Sequence, residues 1–196
     1  MDVLSASLKD DKIAWYENDG SQSFTARTIT TSADGATAVY PIDLDQDGDI
    51  DVVSGNLSDI DDDNKGEVNQ IKWYENNGYQ SFAVHSIGSS TNSLNQGYEQ
   101  DLAIVDLDRD GDLDIVAGFG SDKKIVWLKN DGNQQFTQND LFIETRNIGV
   151  MDISSIEAKD ITKDGHMDIV FTTFSLTSAL VLTIASSKFN GNSYIF

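Results

Sequence analysis

Nine residues, Asp106-Leu107-Asp108-Arg109-Asp110-Gly111-Asp112-Leu113-Asp114, constrain this chain more than any other stretch. Carboxylates so closely spaced cannot share a folded loop unless something positive sits among them. Like charges at contact distance repel, and protonation or a bound cation is the cheapest relief. The spacing D-x-D-x-D-G-x-x-D sets side-chain oxygens at positions 1, 3, 5 and 9, a backbone carbonyl at 7, and Gly at the sharp turn. A hard cation of the size of Ca²⁺ takes up such an oxygen cage. The pattern recurs at Asp43-Leu44-Asp45-Gln46-Asp47-Gly48-Asp49-Ile50-Asp51. A weaker copy stands at Asp160-Ile161-Thr162-Lys163-Asp164-Gly165-His166-Met167-Asp168.

A lone Asp-Gly reads as a hairpin turn. Two full copies and a partial one, each ahead of a similar apolar run, read as metal loops. An EF-hand is excluded, since its position 12 needs Glu and these loops hold Ser54, Ala117 and Phe171 there, with strand-like flanks. Two strong Ca²⁺ sites and one weaker are therefore expected. Thr162 offers a neutral oxygen in the weaker loop, and Lys163 adds a positive charge.

The remaining organisation is repetition. Ile13-Ala14-Trp15-Tyr16-Glu17-Asn18-Asp19-Gly20 aligns with Ile71-Lys72-Trp73-Tyr74-Glu75-Asn76-Asn77-Gly78 and with Ile125-Val126-Trp127-Leu128-Lys129-Asn130-Asp131-Gly132. Phe24, Phe82 and Phe136 follow at one fixed distance, and a fourth copy around Leu180-Val181-Leu182 has lost the Trp. The fixed phase of these aromatics favours packing between neighbouring sheets over a ligand platform. Each unit reads as a short strand, the aspartate loop, a second strand, a Trp-bearing third and, after an Asn-Gly or Asp-Gly turn, a fourth. The fold class expected is all-β: a β-propeller-type array of four-stranded antiparallel blades in a single repeat domain, residues 1–196. The units fall at about 1–35, 36–99, 100–150 and 151–196, the first incomplete because Asp2-Val3-Leu4-Ser5 matches Asp51-Val52-Val53-Ser54. The fourth strand of the last unit is expected at 193–196. With no spare strand to close a ring, part of a larger propeller, or self-association, is expected.

Composition narrows the function classes. The formal charge of −20 argues against nucleic acid and anionic membranes, which need a basic footprint. With no cysteine there is neither a disulfide nor thiol chemistry, and no run is apolar for long enough to cross a membrane. Met1-Asp2-Val3 enters strand-like sequence at once, so no signal peptide is expected. His166 lies in a metal loop and His85 takes the register of Arg27 and Asn139 on an outer strand, so no histidine is positioned as a catalytic base and no enzyme is expected, a polysaccharide-active propeller that uses a carboxylate pair being the alternative.

The chain resembles FG-GAP/VCBS-type repeats, the family that includes the propeller of integrin α-subunits and many secreted bacterial proteins. The aspartate loops running into Asp-(Ile/Leu)-Asp, together with the Trp-Tyr-Glu-Asn strand, carry the resemblance along essentially the whole chain. It implies a calcium-bound propeller, usually of seven blades, used extracellularly for adhesion or carbohydrate binding or as an accessory to an enzyme. By position it makes Asp43, Asp45, Asp47, Asp49 and Asp51 ligands, with Asp49 giving its carbonyl. Asp106, Asp108, Asp110, Asp112 and Asp114 follow likewise, as do Asp160, Thr162, Asp164, His166 (carbonyl) and Asp168.

Three roles follow as expectations: an extracellular or cell-surface module that binds a glycan or protein, a purely structural assembly unit, or an accessory part of a polysaccharide-acting enzyme. Binding is expected on the face opposite the aspartate loops, where the long irregular loops 56–70, 88–101 and 144–152 lie. Tyr98, Glu99 and Arg146 are the ligand-contacting residues expected there, with Asn92, Asn95, Gln96 and Asn147 around them. Asp59, Asp61, Asp62 and Asp63 read as a solvated acidic stretch.

Overall fold

Short apolar runs rich in Val and Ile, punctuated by Asp, Asn and Gly, give strands wherever the chain is described. The computed structural model describes residues 1–57, 68–91, 101–143, 152–175, 178–185, 188–189 and 194–195. All regular structure among these residues is β.

The chain divides into two compact units, with Met1–Ser89 as the body of one and Tyr98–Phe196 as the body of the other. The first unit holds two sheets. One has the order β1 (Val3–Ser7), β2 (Lys12–Asn18), β3 (Phe24–Thr30), and the other β4 (Ala36–Ile42), β5 (Asp51–Asn56), β6 (Gln70–Asn76), β7 (Phe82–Ser89). The second unit repeats the scheme with β8 (Leu102–Val105), β9 (Asp114–Phe119), β10 (Lys124–Asn130) and β11 (Phe136–Ile143), then with β12 (Asp152–Lys159), β13 (Asp168–Ser175) and β14 (Ser178–Ala185). Within every sheet each strand pairs antiparallel with its sequence neighbour.

Burial follows strand position. Every residue of β5 and β9 is buried, whereas the middles of β3 and β11 are exposed. The second strand is thus covered on both faces, and Val-Val-Ser-Gly and Ile-Val-Ala-Gly suit such a place because β-branched and small side chains let neighbours close in. At Gly118 the approach is extreme: a Cβ there would stand 2.6 Å from Ile153 Cδ1. Ile13, Val52 and Tyr74 centre the core of the first unit, and Val116, Trp127, Ile153 and Phe171 that of the second.

One register serves the four sheets of three or four strands. Leu4 pairs with Trp15, Val53 with Trp73, Val116 with Trp127 and Val170 with Ile184, in each case two residues after an aspartate. The fourth equivalent of the Trp is therefore Ile184, which corrects the alignment at Leu180-Val181-Leu182. A second correction concerns the last strand. Lys188–Phe189 (β15) and Tyr194–Ile195 (β16) pair with each other in a separate two-stranded ladder, so 193–196 does not add a fourth strand to the β12–β14 sheet. The Asn-Gly and Asp-Gly turns are also longer than a two-residue hairpin. Asn18 pairs with Phe24, Asn76 with Phe82 and Asn130 with Phe136. The intervening loop is folded by side chains: Asn18 Oδ1 accepts the Gly20 N–H at 2.9 Å and Asp19 Oδ1 accepts those of Ser21 and Ser23. Such Asx bonding is an alternative to the tight turn.

Candidate functional site

The three aspartate loops share one backbone path. The fourth residue is left-handed in each, Gln46 at φ 61°, Arg109 at 66° and Lys163 at 57°. The sixth is Gly at φ 99° in Gly48, 100° in Gly111 and 87° in Gly165, a conformation other residues rarely adopt. The loop is tied to its first carboxylate: the Gly48 N–H donates to Asp43 Oδ2 at 3.1 Å, Gly111 to Asp106 Oδ2 at 3.2 Å and Gly165 to Asp160 Oδ2 at 2.9 Å. This curl brings carboxylate oxygens of Asp43, Asp45 and Asp47 within 4.8 Å of one another, and likewise those of Asp106, Asp108 and Asp114. Asp160, Asp164 and Asp168 are not among the convergent trios found in the described residues.

The ninth position does structural work. Asp51 Oδ1 accepts the Asn76 N–H at 2.7 Å while its Oδ2 accepts the Leu44 N–H at 3.1 Å. Asp114 does the same with Asn130 at 2.8 Å and Leu107 at 3.2 Å, and Asp168 takes the Ile161 N–H at 2.8 Å. Asn76 Nδ2 donates in return to Ile50 O at 3.1 Å, and Asn130 Nδ2 to Leu113 O at 3.3 Å. One carboxylate thus fastens the aspartate loop to the Trp-bearing strand. The asparagine half of this clamp was visible in the sequence only as a repeated motif, since its role depends on the register.

The seventh position packs against the neighbouring turn. A Cβ on Gly78 would lie 2.5 Å from Asp49 Oδ2, and one on Gly132 would lie 2.5 Å from Asp112 Oδ2. Glycine at the turn is what lets that carboxylate fit.

Electrostatics fit a hard cation in the first two loops. Asp43 Oδ1 and Asp106 Oδ1 are buried with no hydrogen-bond donor, an arrangement costly for a carboxylate unless a cation completes it. Burial pushes the carboxyl of Asp114 up to about 6 against the pull of its backbone donors, and it raises Asp51 and Asp45 as well. Acidic oxygens held together while desolvated could hold a hard cation such as Ca²⁺. One difference separates the loops. The strand residue two after the Trp is Glu75 beside the first and Lys129 beside the second; Lys129 Nζ bonds Asp108 and lies 3.1 Å from Asp110 Oδ2.

Tyr98, Glu99 and Arg146 lie outside the described residues, as do the acidic residues Asp59, Asp61, Asp62 and Asp63. The described residues of the first unit include the linings of two hollows. A cleft of about 340 Å³ at the aspartate-loop end is lined by Asp2, Leu4, Trp15, Asn76, Gln80 and Phe82, among others. Another, of about 390 Å³, lies at the opposite end among Ser32, Asp34, Asn56, Gln70 and Lys72. The cleft was not legible in the residues alone, because Trp15 reads like the buried Trp73 and Trp127 but is only half-buried.

Fold and site together define an all-β repeat protein organised on aspartate loops. The FG-GAP-like repeat profile matches residues 1–54 and 106–171, more than half of the chain, and the protein belongs to that family. Among solved structures the fold is similar to that of an Agrocybe aegerita lectin described as recognising non-reducing terminal N-acetylglucosamine. The similarity has a TM-score of 0.51 at 16% identity and covers 92% of this chain and 52% of that one, so this chain spans about half the length of the lectin. No curated protein sequence matches the chain. Among the described residues no helix is long and apolar enough to cross a membrane.

Proposed function

We propose that the chain is a calcium-stabilised binding module for a glycan, acting outside the cell or at its surface, with its sheets as the blades of a propeller-type array. The cleft of the first unit carries the glycan reading. Sugars present C–H faces to aromatic rings and hydroxyls to carboxylates and amides, and here Trp15 and Phe82 stand beside Asp2, Asn76 and Gln80. The likeness to a glycan-recognising lectin supports the class without identifying the sugar. Calcium is supported by the buried, unpartnered Asp43 Oδ1 and Asp106 Oδ1. Asp43, Asp45, Asp47 and Asp51 would hold one ion, and Asp106, Asp108, Asp110 and Asp114 a second. The ion would neutralise the loops and fix the strands they join. The proposal includes no catalytic step.

A second reading keeps recognition at the opposite end, at the hollow among Asp34, Asn56, Gln70 and Lys72. A glycan array followed by calorimetry on the best probe separates the two. Trp15→Ala and Gln80→Ala should weaken binding at least tenfold with folding intact, while Lys72→Ala leaves it unchanged. Loss through Lys72→Ala alone would transfer the site to the opposite end. Absence of binding to every glycan would leave the protein-partner or assembly role.

A further inference from the structure

We infer that Lys129 is a resident counter-ion of loop 106–114, and that loop 43–51, where Glu75 takes its place, is the tighter divalent-cation site of the two. The inference rests on the calcium reading above and deepens it.

The two loops are closely matched in backbone and in carboxylates, so the sequence alone assigns them equal strength. The strand beside them breaks the equality. Glu75 and Lys129 occupy the same place in the repeat, one residue before the clamp asparagine. Lys129 Nζ forms charge-assisted bonds to Asp108 and Asp110, and the Asp108 side chain it meets is only 6% exposed. Its ammonium also lies 5.5 Å from the centre of the Trp127 ring, within the range in which a ring face attracts a cation. Lys129 is therefore held at the cage from two directions. A dication entering loop 106–114 must take Asp108 from this ammonium and then share the neighbourhood with it.

Among the described residues no lysine meets the carboxylates of loop 43–51. Its fourth residue is Gln46, where loop 106–114 carries Arg109. Glu75 is hydrogen-bonded to His85 at 2.7 Å and adds negative charge near Asp45. The indole that meets the ammonium in the later repeat has Trp73 as its counterpart here, and that ring is stacked by His85 at 4.6 Å between ring centres. Loop 160–168 resembles the lysine-bearing case, for Arg109 Nη2 would stand 3.2 Å from a Cβ on Gly165, and Lys163 lies within the loop. Affinity in such cages follows the charge of the ligand set. Among the described residues a lysine or arginine thus accompanies two of the three loops, which leaves loop 43–51 the most negative.

Calorimetric titration of the full chain with CaCl₂ tests this. Asp108→Asn leaves loop 43–51 as the one strong site, and Asp45→Asn leaves loop 106–114, with loop 160–168 as the same weak background in both. The first should bind Ca²⁺ at least tenfold more tightly than the second. Adding Lys129→Met to Asp45→Asn should recover at least tenfold in affinity at loop 106–114. The reciprocal change, Glu75→Lys in Asp108→Asn, should cost loop 43–51 at least tenfold, and it gives an independent result if the Met variant folds poorly. Equal affinities in the two single variants, insensitive to both charge changes, would overturn the inference while leaving the calcium reading standing. No Ca²⁺ uptake by any of these proteins, wild type included, would overturn the calcium reading and the inference with it.

Discussion

The carboxylate of Asp114 accepts the backbone N–H of Asn130 at 2.8 Å, and with its other oxygen it holds Leu107 at the start of the same loop. Asp114 is fully buried, so removing the side chain strands two buried donors. Each such donor costs about 1–3 kcal/mol. Asp114→Ala should lose about 3 kcal/mol in urea denaturation. Asp2, the counterpart in the first sheet, bonds Asn18 at 3.1 Å in an exposed setting, and Asp2→Ala should lose less than about 0.5 kcal/mol. Equal losses in the two variants would mean that the clamp is not what matters at the ninth position.

Calcium removal should be felt as lost stability. Cages of this kind do not pre-exist in an unfolded chain, so the binding energy of the ion is folding energy. EDTA should lower the melting temperature by several degrees and excess Ca²⁺ should restore it. Mg²⁺ should restore little, because it demands a tighter octahedron than these loops provide. Superimposable melting curves with and without chelator would refute the calcium reading.

The turn glycines offer a test of how the seventh position is packed. Gly20 and Gly78 both have positive φ, at 82° and 77°, so alanine strains both backbones by about 1 kcal/mol. Nothing lies within 4 Å of a Cβ on Gly20, whereas one on Gly78 meets Asp49 Oδ2 at 2.5 Å. Gly78→Ala should therefore cost roughly 1 kcal/mol more than Gly20→Ala in urea denaturation. A difference near zero would show that the Asp49 side chain moves aside without penalty.

Much of this was legible in the sequence because repetition gives several independent views of one unit. Aligning Trp15, Trp73 and Trp127 located the strands, and the aspartate spacing located the loops. The failures share a cause, which is that register and side-chain partners are tertiary properties. Leu180-Val181-Leu182 is the more apolar tract, yet pairing with Val170 falls on Ile184. Asn76 and Asn130 read only as part of a repeated motif, although their backbones and amides complete the aspartate clamp. The exchange of Glu75 for Lys129 stands in plain view in the aligned strands. Only the fold shows that this position overlooks the carboxylates.

The pH dependence should carry an unusual sign. Burial raises the Asp114 carboxyl to about 6, while an unfolded Asp titrates near 3.9. Between those values the native state binds a proton that the unfolded state has released. Stability then falls as pH rises through this window, by up to about 3 kcal/mol for a shift of roughly 2 units. Asp51, also raised by burial, acts in the same direction. Asp110 opposes them at lower pH: burial lifts it, but the Asp112 N–H and the Lys129 ammonium together bring it below its ordinary value, so its contribution is lost as pH falls through its folded value. In EDTA the protein should therefore be more stable to urea at pH 5 than at pH 7.5. Saturating Ca²⁺ should reverse this order, because the ion competes with the proton for the same oxygens. Asp114→Asn should flatten the slope measured in EDTA. If wild type in EDTA gains stability from pH 5 to pH 7.5, or if Asp114→Asn keeps the wild-type slope, the buried carboxylate is not the source.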